Sequence, residues 1–436
     1  MLAAIGAKNI DELFSDIPGE LRLDRKLNIP DGISEWETFQ RCRKLASKNK
    51  MLTCFAGAGV YDHIIPAAAR HITNYPGFYT SYTPYQAEMS QGILQAIFEF
   101  QTAISEISGL PASNASLYNG FTSAAEACAI ACRLKKEADT ILVSSSVHPY
   151  LLKLLNTYFQ GEEIKIETTP LIDGRTDLNA LKASIGPRVA GFLGQSPNFF
   201  GMIEDFDGFA ETIHDNSGLF IISANPLSLA KLKSPGEWGA DIAVGDAQPF
   251  GLAMNFGGPG LGYMAVTEKL MRQLPGRIVG QTKDSEGKTA YVLTLQAREQ
   301  HIKRARATSN ICTNQALAAI TVSAYLSIVG RENLIKLAGD NMNAANYAFA
   351  GLTAKTPLKP AFQGPIFNEF SVKGPGIKEL RDYLLTQGFL PGIRPRDISD
   401  SYDENLLLIA VTEKRTKTEI DDFIQNVRRF YIENNI

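Results

Sequence analysis

From Thr140 to Asp246 the chain alternates short apolar runs (TILVSSS, EIKIETTP, RVAGFLGQSP, LFIISANP, ADIAVGD) with amphipathic segments (PYLLKLLNTYFQG, DLNALKASI, FAETIHDNSG). Strands this apolar need cover on both faces, so the pattern confines the region to a mainly parallel sheet flanked by helices. Ligands of such sheets bind beyond the carboxyl ends of the strands. The segments that can carry chemistry are therefore 144–148, 195–198, 223–225 and 246–250.

The rest of the chain is organised around that region. FEFQTAISEISG and the Ala-rich FTSAAEACAIACRLKKE read as helices, the second opening at Thr122 or Ser123 as its cap. Residues 1–92 carry short helical patterns broken by Pro18, Pro30, Pro66, Pro76 and Pro84, and read as an arm that wraps a partner. A large α/β domain is expected over 93–329. From 330 to 436, FNEFSVKG, GIKELRDYLLTQG, ENLLLIAV and a closing helical stretch predict a small α+β domain. With 436 residues, 44% of them hydrophobic, the chain can support this division, because single cores rarely grow beyond roughly 250–300 residues.

A net charge of −3 offers no field that would gather nucleic acid or an anionic membrane. No apolar run approaches a membrane span, and MLAAIGAKNIDELF lacks the basic flank and cleavage site of a signal peptide, so a cytoplasmic protein is expected. Cys42, Cys54, Cys128, Cys132 and Cys312 are odd in number and never form a CxxC pair. They read as reduced core residues, with neither a disulfide framework nor a metal site.

Three pieces of possible chemistry follow one another in order. SLYNGFTSAAEA places Asn119, Gly120, Phe121, Thr122 and Ser123 before a helix, where free amides and the helix dipole favour an anion. Taken alone, this is equally ordinary capping chemistry. His148 follows the strand ILVSSS, where a residue stacking on a cofactor ring would stand, although a lone His is also a common packing residue. ADIAVGDAQPFGLAMNFGGPGLGYMAV then has the layout of a strand and turn that would bear a Schiff-base lysine. The order is that of an aminotransferase-like, fold type I pyridoxal-phosphate enzyme. Two parts are missing, however: Gln248 stands where the lysine would be, and Ile222 lies near the position of the carboxylate that would hold the pyridine nitrogen. Lys231 and Lys233 precede the strand and lie at its wrong end.

Nearly the whole chain resembles the P-protein of the glycine cleavage system, in the form of the first of its two subunits where that protein is split. The resemblance rests on RHITNYPGFY, YTPYQAEMSQG, NASLYNGFTSAAEA, ADIAVGDAQPFGLAMNFGGPG and LPGRIVGQTKDSEGKTAYVLTLQAREQHIKRARATSNICTNQAL, in that order. It implies that a lysine-bearing second subunit holds pyridoxal phosphate covalently. It further implies a heterotetramer of two of each subunit that decarboxylates glycine and passes the aminomethyl group to the lipoyl arm of H-protein. No catalytic residue is expected in this chain alone.

Two segments of this chain are expected to face the partner's active site: Tyr82, Thr83, Tyr85 and Gln86, and Arg298, Thr308, Ser309 and Asn310. The alternative for Thr308–Ser309–Asn310 is a cap on a helix beginning near Cys312. Arg277, Lys303, Arg304 and Arg306 form a second candidate cluster, to be weighed against a solvated helix face. Residues 257–262, GGPGLG, read as a tight turn between strands. Asn119, Gly120, Thr122, Ser123 and His148 would then be a vestigial cofactor pocket. The competing view of the chain is a non-catalytic scaffold or regulatory protein of the same fold.

Overall fold

The structure, a computed structural model, describes residues 1–23, 25–79 and 82–435. It divides into two compact units, Met1–Met51 and Leu52–Ile436. The first contains short 3-10 helices (Leu2–Ile5, Ile10–Phe14, Gly19–Leu21) and the α-helix Glu35–Ala46. That helix opens with a reciprocal capping box between Ser34 and Glu37, which satisfies amides left unpaired at a helix start. None of the unit's described residues is buried, and Ile10, Phe14, Trp36 and Phe39 stand exposed.

The division falls at Met51 and not near residue 92. Thr53–Cys54 pairs in parallel with Phe389–Leu390, and Phe55 stacks on Phe423 with ring centroids 4.1 Å apart. Both contacts fix the chain from Leu52 onward into the second unit's core. Five prolines marked an irregular segment correctly, but irregular backbone is not detached backbone.

In the second unit, the described residues form a seven-stranded sheet in the order Ala112–Ser113, Gly262–Val266, Ile242–Asp246, Leu219–Ala224, Val189–Ser196, Thr140–Ser144, Lys165–Thr169. The last five of these run parallel, while Gly262–Val266 is antiparallel to both its neighbours. Period-two alternation sends Ile242 and Val244 to the face covered by the helix Gly120–Leu134, and Ala243 to the opposite face with Phe250 and Tyr325. Phe220 and Ile222 pack with Phe192, Phe206 and Phe209.

The helix Gly120–Leu134 starts earlier than Thr122. Its cap is Asn119, whose extended backbone aims the side-chain oxygen at the Thr122 amide. A long helix, Ala316–Lys355, is interrupted by the non-helical Gly330 (φ 71°, ψ 167°). Beyond it, the antiparallel strands Lys359–Pro360, Glu369–Lys373 and Leu406–Ala410 pack with the helices Ile377–Thr386 and Lys417–Glu433 around a second core. All five cysteines are free. Cys54 and Cys128 are buried, but Cys42 and Cys312 are exposed, so the expectation of five core cysteines fails for these two. Among the described residues no helix is long and apolar enough to cross a membrane, and no group of three His, Cys, Asp or Glu could hold a metal ion.

Gly201 brings the segment after Val189–Ser196 against the strand Glu369–Lys373. Its φ of +85° favours glycine, and a Cβ there would overlap the Glu369 carbonyl. Gly201→Ala is expected to lower stability by about 2–4 kcal/mol, since left-handed strain and overpacking add. Urea denaturation with an unchanged m-value checks this, and an unshifted midpoint would contradict the close approach.

Candidate functional site

A cavity opens at the carboxyl ends of the parallel strands. Its inner part is lined by His148, Gln195, Asn198, Ser223, Asn225 and Asp246 among others, so each segment marked by the strand-end rule contributes. The outer part encloses about 660 Å³ between Phe121, Tyr150, Met254, the loop 257–260, and Arg381 and Arg394 of the C-terminal region. GGPGLG is not a tight turn as expected: it closes a longer connection, 247–261, between the antiparallel strands, and residues 257–260 also form the cavity rim.

At the start of the Gly120–Leu134 helix three of the first amides already have acceptors. Thr122 N–H donates to Asn119 Oδ1 (2.9 Å), Ser123 N–H to Asn119 O (3.0 Å), and Gly120 N–H to the Asp246 carboxylate (3.1 Å). The Ser123 hydroxyl also turns back to Asn119 O. Asn119, Gly120, Thr122 and Ser123 are thus brought together, but largely to satisfy one another.

Gln248 follows the strand Ile242–Asp246 and is buried. Its amide nitrogen donates to Tyr61 O (2.9 Å) and Leu252 O (2.8 Å), and its oxygen accepts from Tyr61 N–H (3.1 Å). The side chain is a clamp on the Tyr61 backbone. Tyr61 in turn donates its phenol to Glu369 (2.9 Å), which also accepts the Ala58 amide (2.7 Å). Burial raises the Glu369 carboxyl to about 7, against the opposing effect of those two donors.

His148 caps the helix Pro149–Tyr158: its Nδ1 accepts the Tyr150 amide at 3.1 Å. The ring proton therefore sits on Nε2, toward the Ala58 backbone, and burial pushes the imidazole down to about 4. The ring lies 4.9 Å from Phe121 and 5.0 Å from Phe199. It is a neutral wall of the cavity as well as a cap.

Ile222 does not line the inner cavity. It points to the opposite sheet face, into the cluster of Phe192, Phe206 and Phe220, and the strand end instead presents Ser223, Ala224 and Asn225. Asn225 Oδ1 accepts the Leu227 amide, which orients its Nδ2 as a buried donor without a partner; Asn368 Nδ2 is another. Pyridoxal phosphate does not fit these residues. There is an amide in place of an amine, a hydroxyl at the strand end in place of a carboxylate, and a carboxylate where the phosphate would meet the helix.

The two expected partner-facing segments behave differently. Tyr82, Tyr85 and Gln86 are exposed and Thr83 is half-buried; Tyr85 OH accepts from Arg277 (3.1 Å) and its ring lies beside His301. Arg298 is spent on the carbonyls of Leu274 and Gly276, so it is a staple of that turn and not a free recognition group. Thr308, Ser309 and Asn310 line a separate cleft with Arg133, Lys136 and Tyr158. They cap no helix, because the helix starts at Ala316 with Gln315 before it, and Ser309 Oγ accepts the Ile311 amide. Arg277 is buried and tied to Asn314 and Tyr85, whereas Lys303, Arg304 and Arg306 are exposed, so the proposed basic cluster splits.

Asn225 lies in a segment that the strand-end rule had marked, just after the strand Leu219–Ala224. Tyr61, Glu369, Arg381, Arg394 and Asn368 escaped the sequence reading, because they arrive from distant elements. Glu369 gives a measurable consequence. The folded chain holds its proton more tightly than the unfolded chain does, so its contribution is complete below about pH 4.5 and is lost as pH rises through about 7. Wild type is expected to lose about 3 kcal/mol relative to Glu369→Gln between about pH 4 and pH 8. A pH-independent difference in urea stability would refute this.

The geometry agrees with comparisons to known proteins. The family model described as "Glycine cleavage system P-protein" matches residues 1–427. A protein of Moorella thermoacetica named "Probable glycine dehydrogenase (decarboxylating) subunit 1" is 48% identical over 433 residues, covering 98% of this chain and 96% of that protein. The crystal structure of a glycine decarboxylase (P-protein) of the glycine cleavage system in inhibitor-bound form superposes with a TM-score of 0.91 at 40% identity, over 98% of this chain and 97% of that one. An alanine–glyoxylate aminotransferase from Nostoc sp. shares the fold alone, with a TM-score of 0.61 at 14% identity over 94% of this chain and 97% of that one. The fold is that of aminotransferase-like, fold type I enzymes, and the chain belongs to the glycine cleavage system P-protein family.

Proposed function

We propose that this chain is the non-lysine subunit of a heteromeric glycine decarboxylase and acts in the cytoplasm. Its lysine-bearing partner holds pyridoxal phosphate covalently, and two of each subunit assemble to decarboxylate glycine and pass the aminomethyl group to the lipoyl arm of H-protein. The cofactor supplies the electron sink for that decarboxylation. The observation that carries the reading is Gln248: the turn after Ile242–Asp246 offers an amide, committed at both ends, and no lysine lines the cavity among the described residues. The designation "subunit 1" among relatives itself implies a second subunit.

The chain's own contribution is a wall and a grip. Tyr82, Thr83, Tyr85 and Gln86 form the wall toward the partner, with Arg277 fixing the Tyr85 phenol from behind. Thr308, Ser309 and Asn310 form a second stretch of it, and Asn119, Gly120, Thr122, Ser123 and His148 are the remnant of a cofactor pocket. The exposed apolar side chains of Met1–Met51 bury themselves on the partner, since surface of this kind is otherwise costly in water.

The purified full chain is expected to show no cofactor absorbance and to release no carbon dioxide from glycine, with activity appearing on addition of the lysine-bearing subunit. In the reconstituted complex, Tyr85→Ala is expected to lower kcat/KM roughly tenfold while assembly stays intact. Activity of the chain alone would overturn the reading. Unchanged kinetics for Tyr85→Ala and Thr308→Ala in an intact complex would favour the non-catalytic scaffold.

A further inference from the structure

The Asp246 carboxylate is placed as a bound anion would be. One oxygen accepts from Gly120 N–H at 3.1 Å, at the first turn of the Gly120–Leu134 helix. The other accepts from Gln248 N–H (3.0 Å) and Leu261 N–H (3.2 Å). Three backbone donors, one from its own turn and two from segments distant in sequence, converge on this one half-buried side chain. Such a convergence at the positive end of a helix dipole is the arrangement by which proteins hold phosphate.

The surrounding glycines show that the fit is close. A Cβ on Gly260 would come within 2.7 Å of the Asp246 carboxylate and 3.1 Å of Asn119 Cβ. A Cβ on Gly120 would come within 2.9 Å of the Asp246 backbone. The space that Gly260 leaves bare is taken by one Asp246 carboxylate oxygen, and the space at Gly120 by the backbone of the strand end.

We propose that Asp246 is a built-in anion that determines the specificity of this cavity, closing it to phosphorylated ligands. A phosphate entering the seat would meet the Asp246 carboxylate at contact distance and would have to displace it from its three donors. The exclusion is separate from the missing lysine: Gln248 removes the covalent link, whereas Asp246 removes the noncovalent seat. Nothing in this geometry depends on what a partner carries.

The test uses the full chain titrated calorimetrically with inorganic phosphate, with pyridoxine 5′-phosphate, which lacks the aldehyde and forms no imine with surface lysines, and with pyridoxine. Amide hydrogen exchange at Gly120 to Ser123 reports occupancy of the seat. Wild type is expected to show no saturable phosphate response there. Asp246→Ser, which frees the three donors, is expected to bind pyridoxine 5′-phosphate at least ~10-fold more tightly than wild type, with pyridoxine unchanged. Asp246→Asn, which removes the charge but keeps the volume, is expected to gain less. Phosphate-dependent protection of Gly120 to Ser123 in wild type would overturn the assignment, and so would the lack of any gain in whichever variants fold. Should the serine variant not fold, a gain in the asparagine variant upholds it and its absence overturns it.

Discussion

The Gln248 amide holds Tyr61 by its N–H and its C=O at once, and Tyr61 passes the connection on through its phenol to Glu369. Three parts of the second unit meet in that short chain of hydrogen bonds: the turn after a central strand, the segment following Phe55, and the first residue of a C-terminal strand. All the groups are buried, so each bond lost would leave a donor or acceptor without water to replace it. The side chain that stands where a Schiff-base lysine would be thus carries structural duty. A lysine there could not reproduce it, since an ammonium donates but cannot accept the Tyr61 amide.

Around that clamp the cavity keeps its outline and changes its chemistry. His148 is neutral and caps a helix, the Asp246 carboxylate accepts the Gly120 amide, and Ser223 places a hydroxyl near the strand end. Buried polar groups elsewhere are mostly paired, which makes the unpartnered Asn225 and Asn368 amides at the inner cavity conspicuous. The walls are packed because they also belong to the cores on either side.

Much of the architecture was legible along the chain. The five parallel strands, the helices between them and the strand–helix succession at the C-terminal end all followed from periodicity, because burial on one face or two imposes a local repeat. The residue type of the turn after Ile242–Asp246, an amide at Gln248, was legible too. Where the reading slipped, contacts distant in sequence decided. Arg298 looked like a free recognition group but donates from its guanidinium to two backbone carbonyls. For Thr308–Ser309–Asn310 the alternative of a helix cap drops out, because the three line a cleft with Arg133. Ile222 sits one residue from the cavity-facing position, and a shift of one residue in a strand reverses the face.

What the sequence determined by itself was the class of fold, the strand ends where a ligand would lie, and the absence of an amine from the turn at Gln248. These are local matters of residue type and repeat. Only the tertiary structure decided what replaced the lost chemistry. Tyr61 and Gln248 are 187 residues apart and Tyr61 and Glu369 are 308 apart, so their pairing has no local signature. The Asp246 carboxylate gains its meaning only when Gly120 and Leu261 bring their amides to it. The charge was visible in the sequence, but its occupation of an anion seat depends on donors that folding alone assembles.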